Sequence, residues 1–284
     1  MPKTAVPYSF LLDDYPGASV AYSLRKLRSA YSGNCIRVRR SSDNTEQDIG
    51  FVGNNLDTAS LLTFCGAGNG FVTAWYDQSG NGRNATQITA GRQSRIVLNG
   101  VVELLGSKPC INTFAANVLR DYQISYSNLL PLPISIISSH KIDTLPTNAF
   151  NNVTFNIGGT VNAGGGSRYE TLANNTNIHS SVRRTTSATN SVTQSLSALA
   201  SVIHCSFFKT TDIQQRLNGV DSATVAYSGT PFATASNWNI LNANSLNLTF
   251  YGSKRFYEII IFETDQFSNR TGIESNINSY YNVY

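Results

Sequence analysis

The 284-residue chain is predicted to be all-β, an antiparallel sandwich with short accessory helices near both termini. Charged residues make up only 13%, while 21 Gly, 14 Tyr and 14 Phe suit turns and half-buried strands better than long solvated helices. Short apolar or alternating runs recur along the chain, each bounded by Gly, Pro or Asn. One of them, ending at Tyr76, runs into the turn Gly80-Asn81-Gly82 and then back into strand-like sequence. A chain of this length buries about three quarters of its unfolded surface, so one domain can build its core without disulfides. The expected division is an N-terminal arm, residues 1–14, and a sandwich over 15–284.

Taken in order, Asp14 is a candidate N-cap and Pro16 a first-turn residue, and Val20, Leu24, Leu27 and Tyr31 recur at helical spacing, which predicts a helix closed by Gly33. Strands are expected at Cys35–Arg39, Gly70–Tyr76, Ile134–Lys141 and Val153–Ile157. Further strands are expected at Ala200–Lys209, Ile213–Leu217, Leu246–Tyr251 and Phe256–Phe262. Ser268 caps a closing helix whose Ile273, Ile277 and Tyr280 share a face. Two segments read as exposed loops able to carry specificity: the glycine-rich stretch 162–169 and the polar run 174–187.

Asp77 and Ser79 have side chains that can hold the turn by bonding nearby backbone N–H groups. The alternative, Asp77 and Asn81 as oxygen ligands of Ca²⁺, lacks the regular spacing of a calcium loop, so no metal is expected. Cysteines at 35, 65, 110 and 205 form no CxxC pair, and no histidine stands at metal-ligand spacing. Four reduced thiols and no cofactor are expected, as suits assembly in a reducing cytosol. Net charge is +4 with the arginines dispersed, which argues against a nucleic-acid partner. Arg37 and Arg39 share one strand face and read as solvated surface. Residues 1–14 do not read as a signal peptide and no eighteen apolar residues run together, so no membrane partner is expected.

The run from Ala74 through Asp77-Gln78-Ser79-Gly80-Asn81-Gly82 to Gln87 resembles the strand-turn-strand signature of concanavalin A-like sandwiches, both laminin-G-like modules and the catalytic domain of α-L-arabinofuranosidase B. Upstream, Ala21–Arg25, Tyr31-Ser32-Gly33, Arg39–Asn44 and Asp57–Ser60 through Phe64-Cys65 resemble the opening of the arabinofuranosidase domain in the same order, over about the first ninety residues. In the second half, Leu217-Asn218-Gly219-Val220, Phe256–Phe262 and Tyr280-Tyr281 are similar to the turn, last strand and closing helix of laminin-G-like modules. The resemblance implies a concanavalin A-like jelly roll that handles sugars. It departs from the arabinofuranosidase pattern at the cysteines: none follows Cys65 nearby to close a short disulfide loop, and no two are neighbours.

Sugar recognition needs an aromatic face and polar groups for hydroxyls. Arg168 with Tyr169, beside the glycine loop, and Trp238 with Asn237 fit that need, although Trp238 also reads as a core aromatic. For hydrolysis, Glu103, Glu170, Asp212 and Asp221 are the candidate carboxylates; each reads more simply as surface charge, and no catalytic residue is assigned. The expected function is therefore a non-catalytic module, with no enzyme activity. The Leu-Leu-Asp-Asp-Tyr-Pro opening and the Asn-Ser-Tyr-Tyr-Asn-Val-Tyr close resemble those of laminin-G-like domains in bacteriophage virion proteins, tail fibres or decorations. On that reading the sandwich is a homo-oligomeric virion component assembled in the host cytoplasm. It binds a cell-surface glycan and meets other virion proteins through its N-terminal arm. The rival readings are a glycoside hydrolase of the arabinofuranosidase type and a purely architectural virion protein.

Overall fold

The strand Lys254–Phe262 is buried toward both of its faces, and its neighbours explain why. It pairs antiparallel with Ala18–Ser23 on one side and with Ile134–Ile142 on the other. Ile134–Ile142 pairs in turn with Ser201–Phe208, and that strand with Asp212–Leu217. Ile259 and Ile261 point into the space between two layers, whereas Ile260 and Phe262 point into a second core beneath the helices. A strand covered on both faces loses the period-two alternation and becomes a continuous apolar run. The computed structural model describes residues 9–114, 120–126, 132–144, 152–158, 168–173, 178–184, 188–196, 199–228, 238–241 and 252–284.

The second layer runs in space from Glu46–Ile49 through Ile36–Arg40, Gly70–Trp75, Ala85–Thr86 and Tyr122–Ile124. It continues through Trp238–Ile240, Asn152–Gly158, Arg168–Ala173, Ile178–Arg184 and Thr189–Ser195, every pair antiparallel. Arg95–Leu98 bonds to this layer and to Ile111–Asn112, which bonds to Lys254–Phe262, so the two layers are continuous along one edge. A single rung of Cα partners crosses the second layer: Ile49, Ile36, Trp75, Ala85, Ile124, Trp238, Ile157, Tyr169, Arg183 and Asn190. The rung starts apolar and ends polar.

Helix α1 (Leu11–Asp14) places Leu11 and Leu12 in the outer core, against Ile273 and Ile277 of helix α3 (Arg270–Tyr281). Helix α2 (Thr58–Cys65) is capped by Asp57, whose carboxylate accepts the Ser60 N–H at 3.0 Å. That cap and the Leu61/Phe64/Cys65 face were the available signal for a helix that sequence analysis did not assign.

The helix expected over 20–31 is a correction. Residues 18–23 form a strand, followed by irregular chain through Leu27. All six strand residues are buried, so both faces are covered and the apolar spacing imitates a helical stripe. The polar run 174–187 is a second correction, because 178–184 is a strand whose side chains from His179 to Arg183 are buried. Of the glycine-rich stretch, Arg168 and Tyr169 open a strand and 162–167 lie outside the described residues, as does the strand expected at 246–251. The other expected strands and the closing helix are present within a residue or two. Asn218 and Gly219, with φ of 44° and 83°, make the hairpin after Asp212–Leu217, a conformation that Asn and Gly adopt most readily. The four cysteines are buried and free. Among the described residues, no helix is long and apolar enough to cross a membrane.

Candidate functional site

The space between the layers is apolar at one end and polar at the other. Along Ile134–Ile142 the residues facing it change from Ile134 and Ile136 to Ser138 and His140. Along Ser201–Phe208 they change from Phe208 to Ser206 and His204, and along Asp212–Leu217 from Ile213 to Gln215. Strand 178–184 covers this polar end with His179, Ser181 and Arg183. All three histidines of the chain meet here, His179 lying 6.1 Å from His140 and 5.8 Å from His204 between ring centroids.

His204 Nε2 lies 3.2 Å from Ser181 Oγ, Ser206 Oγ and Gln215 Oε1, and the Ser181 hydroxyl donates to Gln215 Oε1 at 2.9 Å. His140 stacks on Phe256 and contacts Ser138 Oγ through Nδ1 at 3.3 Å. The Lys254 ammonium, also fully buried, donates to the Leu241 carbonyl at 2.9 Å. Burial pushes all three imidazoles down, His179 to about 4 and His204 to about 3, and the His140 ring well below its usual value. Burial likewise pushes the Lys254 ammonium well down. At neutral pH the three imidazoles are therefore neutral and, with the hydroxyls and amides beside them, exchange hydrogen bonds without carrying charge. Among the described residues, no cluster of His, Cys, Asp and Glu is arranged to hold a metal ion.

At the edge of this region the Arg183 guanidinium lies 4.2 Å from the Tyr227 ring centre and donates to the Ser228 carbonyl at 3.4 Å. Asn190 Nδ2 donates to Ser228 Oγ at 2.9 Å. Tyr169 stands opposite Arg183 in the register, and Arg168 opposite Arg184. Trp238 is on the same rung, two strands from Tyr169, but fully buried, edge-on to Tyr126 and Phe155 at 4.7 and 6.0 Å. Its ring is part of the core rather than an open sugar platform. Asn237 lies outside the described residues. The register thus brings Tyr169, Arg183 and Trp238 onto one rung, while sequence reasoning missed Arg183 and the histidines. The signal was there: His140, His179 and His204 each fall in a run otherwise rich in Ile, Val and Ser.

Asp77 is buried and saturated. Its Oδ1 accepts the Ala21 and Ser79 N–H groups at 2.9 Å each, and its Oδ2 accepts Ser79 Oγ at 2.7 Å and the Arg83 N–H at 3.0 Å. Asn81 Nδ2 donates to the carbonyls of Ala18 and Ser19. Both side chains fasten the turn to strand 18–23. Of the candidate carboxylates, Glu103 pairs with Arg95, Asp212 with Lys209 at 3.3 Å, and Asp221 with Arg216 and Arg270 at 2.9 and 3.0 Å. Glu170 stands on strand 168–173, opposite Asn156 and Val182.

Residues 14–105 match the family description "Alpha-L-arabinofuranosidase B, catalytic". Alpha-L-arabinofuranosidase B of Aspergillus niger is 35% identical over 80 residues, which are 28% of this chain and 16% of that protein. The Aspergillus oryzae enzyme is 36% identical over 78 residues, 27% and 15% of the two chains. A solved GH54 α-L-arabinofuranosidase soaked with a cyclic sulfate inhibitor superposes with TM-score 0.67 at 17% identity, over 97% of this chain and 65% of that one. An arabinofuranosidase complexed with arabinofuranosyl-α-1,2-xylobiose gives TM-score 0.67 at 18% identity, over 93% and 63%. The chain has an arabinofuranosidase-B-like fold. Its matched part spans about a sixth of the curated relatives, and the superposition covers less than two thirds of the solved chains. The catalytic-domain match, together with superposition over nearly the whole chain, overturns the expectation of a non-catalytic virion module and of no enzyme activity.

Proposed function

We propose that the chain is a glycoside-hydrolase domain of the arabinofuranosidase type, acting on arabinose-containing carbohydrate. The observation that supports this reading is the agreement of two matches, in sequence over residues 14–105 and in fold over 97% of the chain. Cleaving a glycosidic bond takes two carboxyl groups on either side of it, about 5 to 9.5 Å apart depending on the stereochemical outcome. Glu103, Asp212 and Asp221 are held in ion pairs, so their charges serve the fold first. Glu170, on the strand beside Arg183, is the candidate to test first. Arg168 and Tyr169 are the proposed sugar contacts on the same strand.

The test is release of 4-nitrophenol from 4-nitrophenyl α-L-arabinofuranoside and of arabinose from arabinose-substituted xylo-oligosaccharide. Wild-type protein turns over both, and Glu170→Gln lowers kcat about a hundredfold or more at unchanged melting temperature. Absence of turnover by the wild-type chain on both substrates rejects the reading.

A further inference from the structure

On the outer side of the sandwich, away from the polar interior, a cleft of about 670 Å³ opens between α3 and the turn at Asn54-Asn55. Its volume lies in the range of small-ligand sites. Tyr280 lines it, with two cations over its ring: the Arg25 guanidinium 4.9 Å and the Lys108 ammonium 3.8 Å from its centre. The two cations differ in kind. Arg25 is fully buried and neutralised by Glu258. Lys108 is half-buried in the cleft wall, and among the described residues no carboxylate forms an ion pair with it; burial and the charge of Arg25 both push its ammonium down.

The other lining groups are of the kind that hold hydroxyls. Asn276 is fixed in place, its Oδ1 accepting from Arg25 at 3.0 Å and its Nδ2 donating to the Ser9 carbonyl at 3.0 Å. Asn55 Oδ1 accepts the Tyr280 hydroxyl. Asn54, Ser275 and Ser279 add amide and hydroxyl groups, Asp14 a carboxylate acceptor and Tyr15 a second aromatic ring. A neutral sugar would use the amides, hydroxyls and rings but leave Lys108 without a counter-charge. A sugar bearing a carboxylate supplies it, forming a charge-assisted hydrogen bond.

We propose that this cleft is a binding subsite for an acidic sugar, a uronate, with Lys108 on its carboxylate and the Asn54, Ser275 and Ser279 side chains on its hydroxyls. The site is separate from the polar interior, and the proposal does not depend on the hydrolase reading.

The test titrates full-length protein with a glucuronate-substituted xylo-oligosaccharide, its neutral counterpart, and inorganic phosphate, following side-chain amide resonances of Asn54 and Asn276 and the heat of binding. The acidic oligosaccharide binds about tenfold tighter than the neutral one, Lys108→Ala abolishes that difference, and Lys108→Arg preserves it. Asn54→Ala weakens both oligosaccharides, which provides a second probe should Lys108→Ala fold poorly. Turnover of 4-nitrophenyl α-L-arabinofuranoside, measured on the same variants, is unaffected. Equal affinity for acidic and neutral ligands, a preference that survives Lys108→Ala, or phosphate shifting the same amides as strongly as the uronate would each overturn the proposal.

Discussion

Arg25 and Glu258 lie 233 residues apart and form a fully buried two-point ion pair, Nε to Oε2 at 2.8 Å and Nη2 to Oε1 at 2.9 Å. Ser23 and Tyr281 add hydroxyl donors to Oε2 at 2.9 and 3.1 Å. The pair ties the first strand region to the strand at the centre of its layer. Removing one partner strands the other charge in the core, so Glu258→Leu costs about 3 to 5 kcal/mol. The double change Arg25→Met with Glu258→Leu costs less than the sum of the single changes. Urea unfolding of the four proteins measures both numbers, and simple additivity is the contrary result.

Acid weakens the fold through the histidine cluster. In the unfolded chain each imidazole takes up a proton near pH 6.5. In the folded chain His179 does so only at about 4 and His204 at about 3. Between those values the unfolded state binds more protons, so stability is full above about pH 6.5 and declines as pH falls toward the folded values. For His179 alone the loss is on the order of 3 kcal/mol. The buried Lys254 ammonium, pushed down in the folded state, acts in the same direction at higher pH. Melting temperature measured from pH 7 to pH 4 should fall steadily, and less steeply in His179→Asn. A profile flat over that interval is incompatible with neutral buried rings.

Asp77 accepts four protein hydrogen bonds and has no capacity left for a cation. Asp77→Ala leaves the Ala21 and Arg83 N–H groups without this acceptor and destabilises by about 2 to 4 kcal/mol. Millimolar Ca²⁺ leaves the wild-type melting temperature unchanged; a calcium-dependent rise would revive the metal reading of Asp77 and Asn81.

Gly272 lets α3 lie against Tyr15. A Cβ at this position would sit 1.9 Å from the Tyr15 hydroxyl and 3.0 Å from its ring carbon. Alanine normally gains about 1 kcal/mol over glycine within a helix. Here Gly272→Ala should instead lose stability, and adding Tyr15→Phe should recover part of the loss. Thermal unfolding of the single and double variants decides it, a stabilised Gly272→Ala being the opposite outcome.

What could be read from the sequence depended on how many faces of an element are covered and with what. Ile36–Arg40 and Asp212–Leu217 alternate because one face is more exposed, and both were legible. Ala18–Ser23 is buried throughout, so its apolar spacing suited a helix equally well. Ile178–Arg184 faces the interior with His179, Ser181 and Arg183, which look like loop residues until the histidines of two other strands are found beside them. The turn at Asp77 was legible because its side chains act within a few residues. The cleft at Lys108 was not, since its walls come from residues 9–15, 54–55, 108 and 272–280, and nothing local in sequence marks their meeting.

The placement of strand 254–262 sets a timetable for the nascent polypeptide. The hydrogen-bonding mate of strand 18–23 is translated more than two hundred residues after it. Until then the edge of 18–23 stays open to other chains, and the same holds for one side of 134–142. The segment most recognisable by kinship, 14–105, is for this reason not a unit that can be excised and expected to stand alone. Any truncation library should keep residues 254–262 in every member.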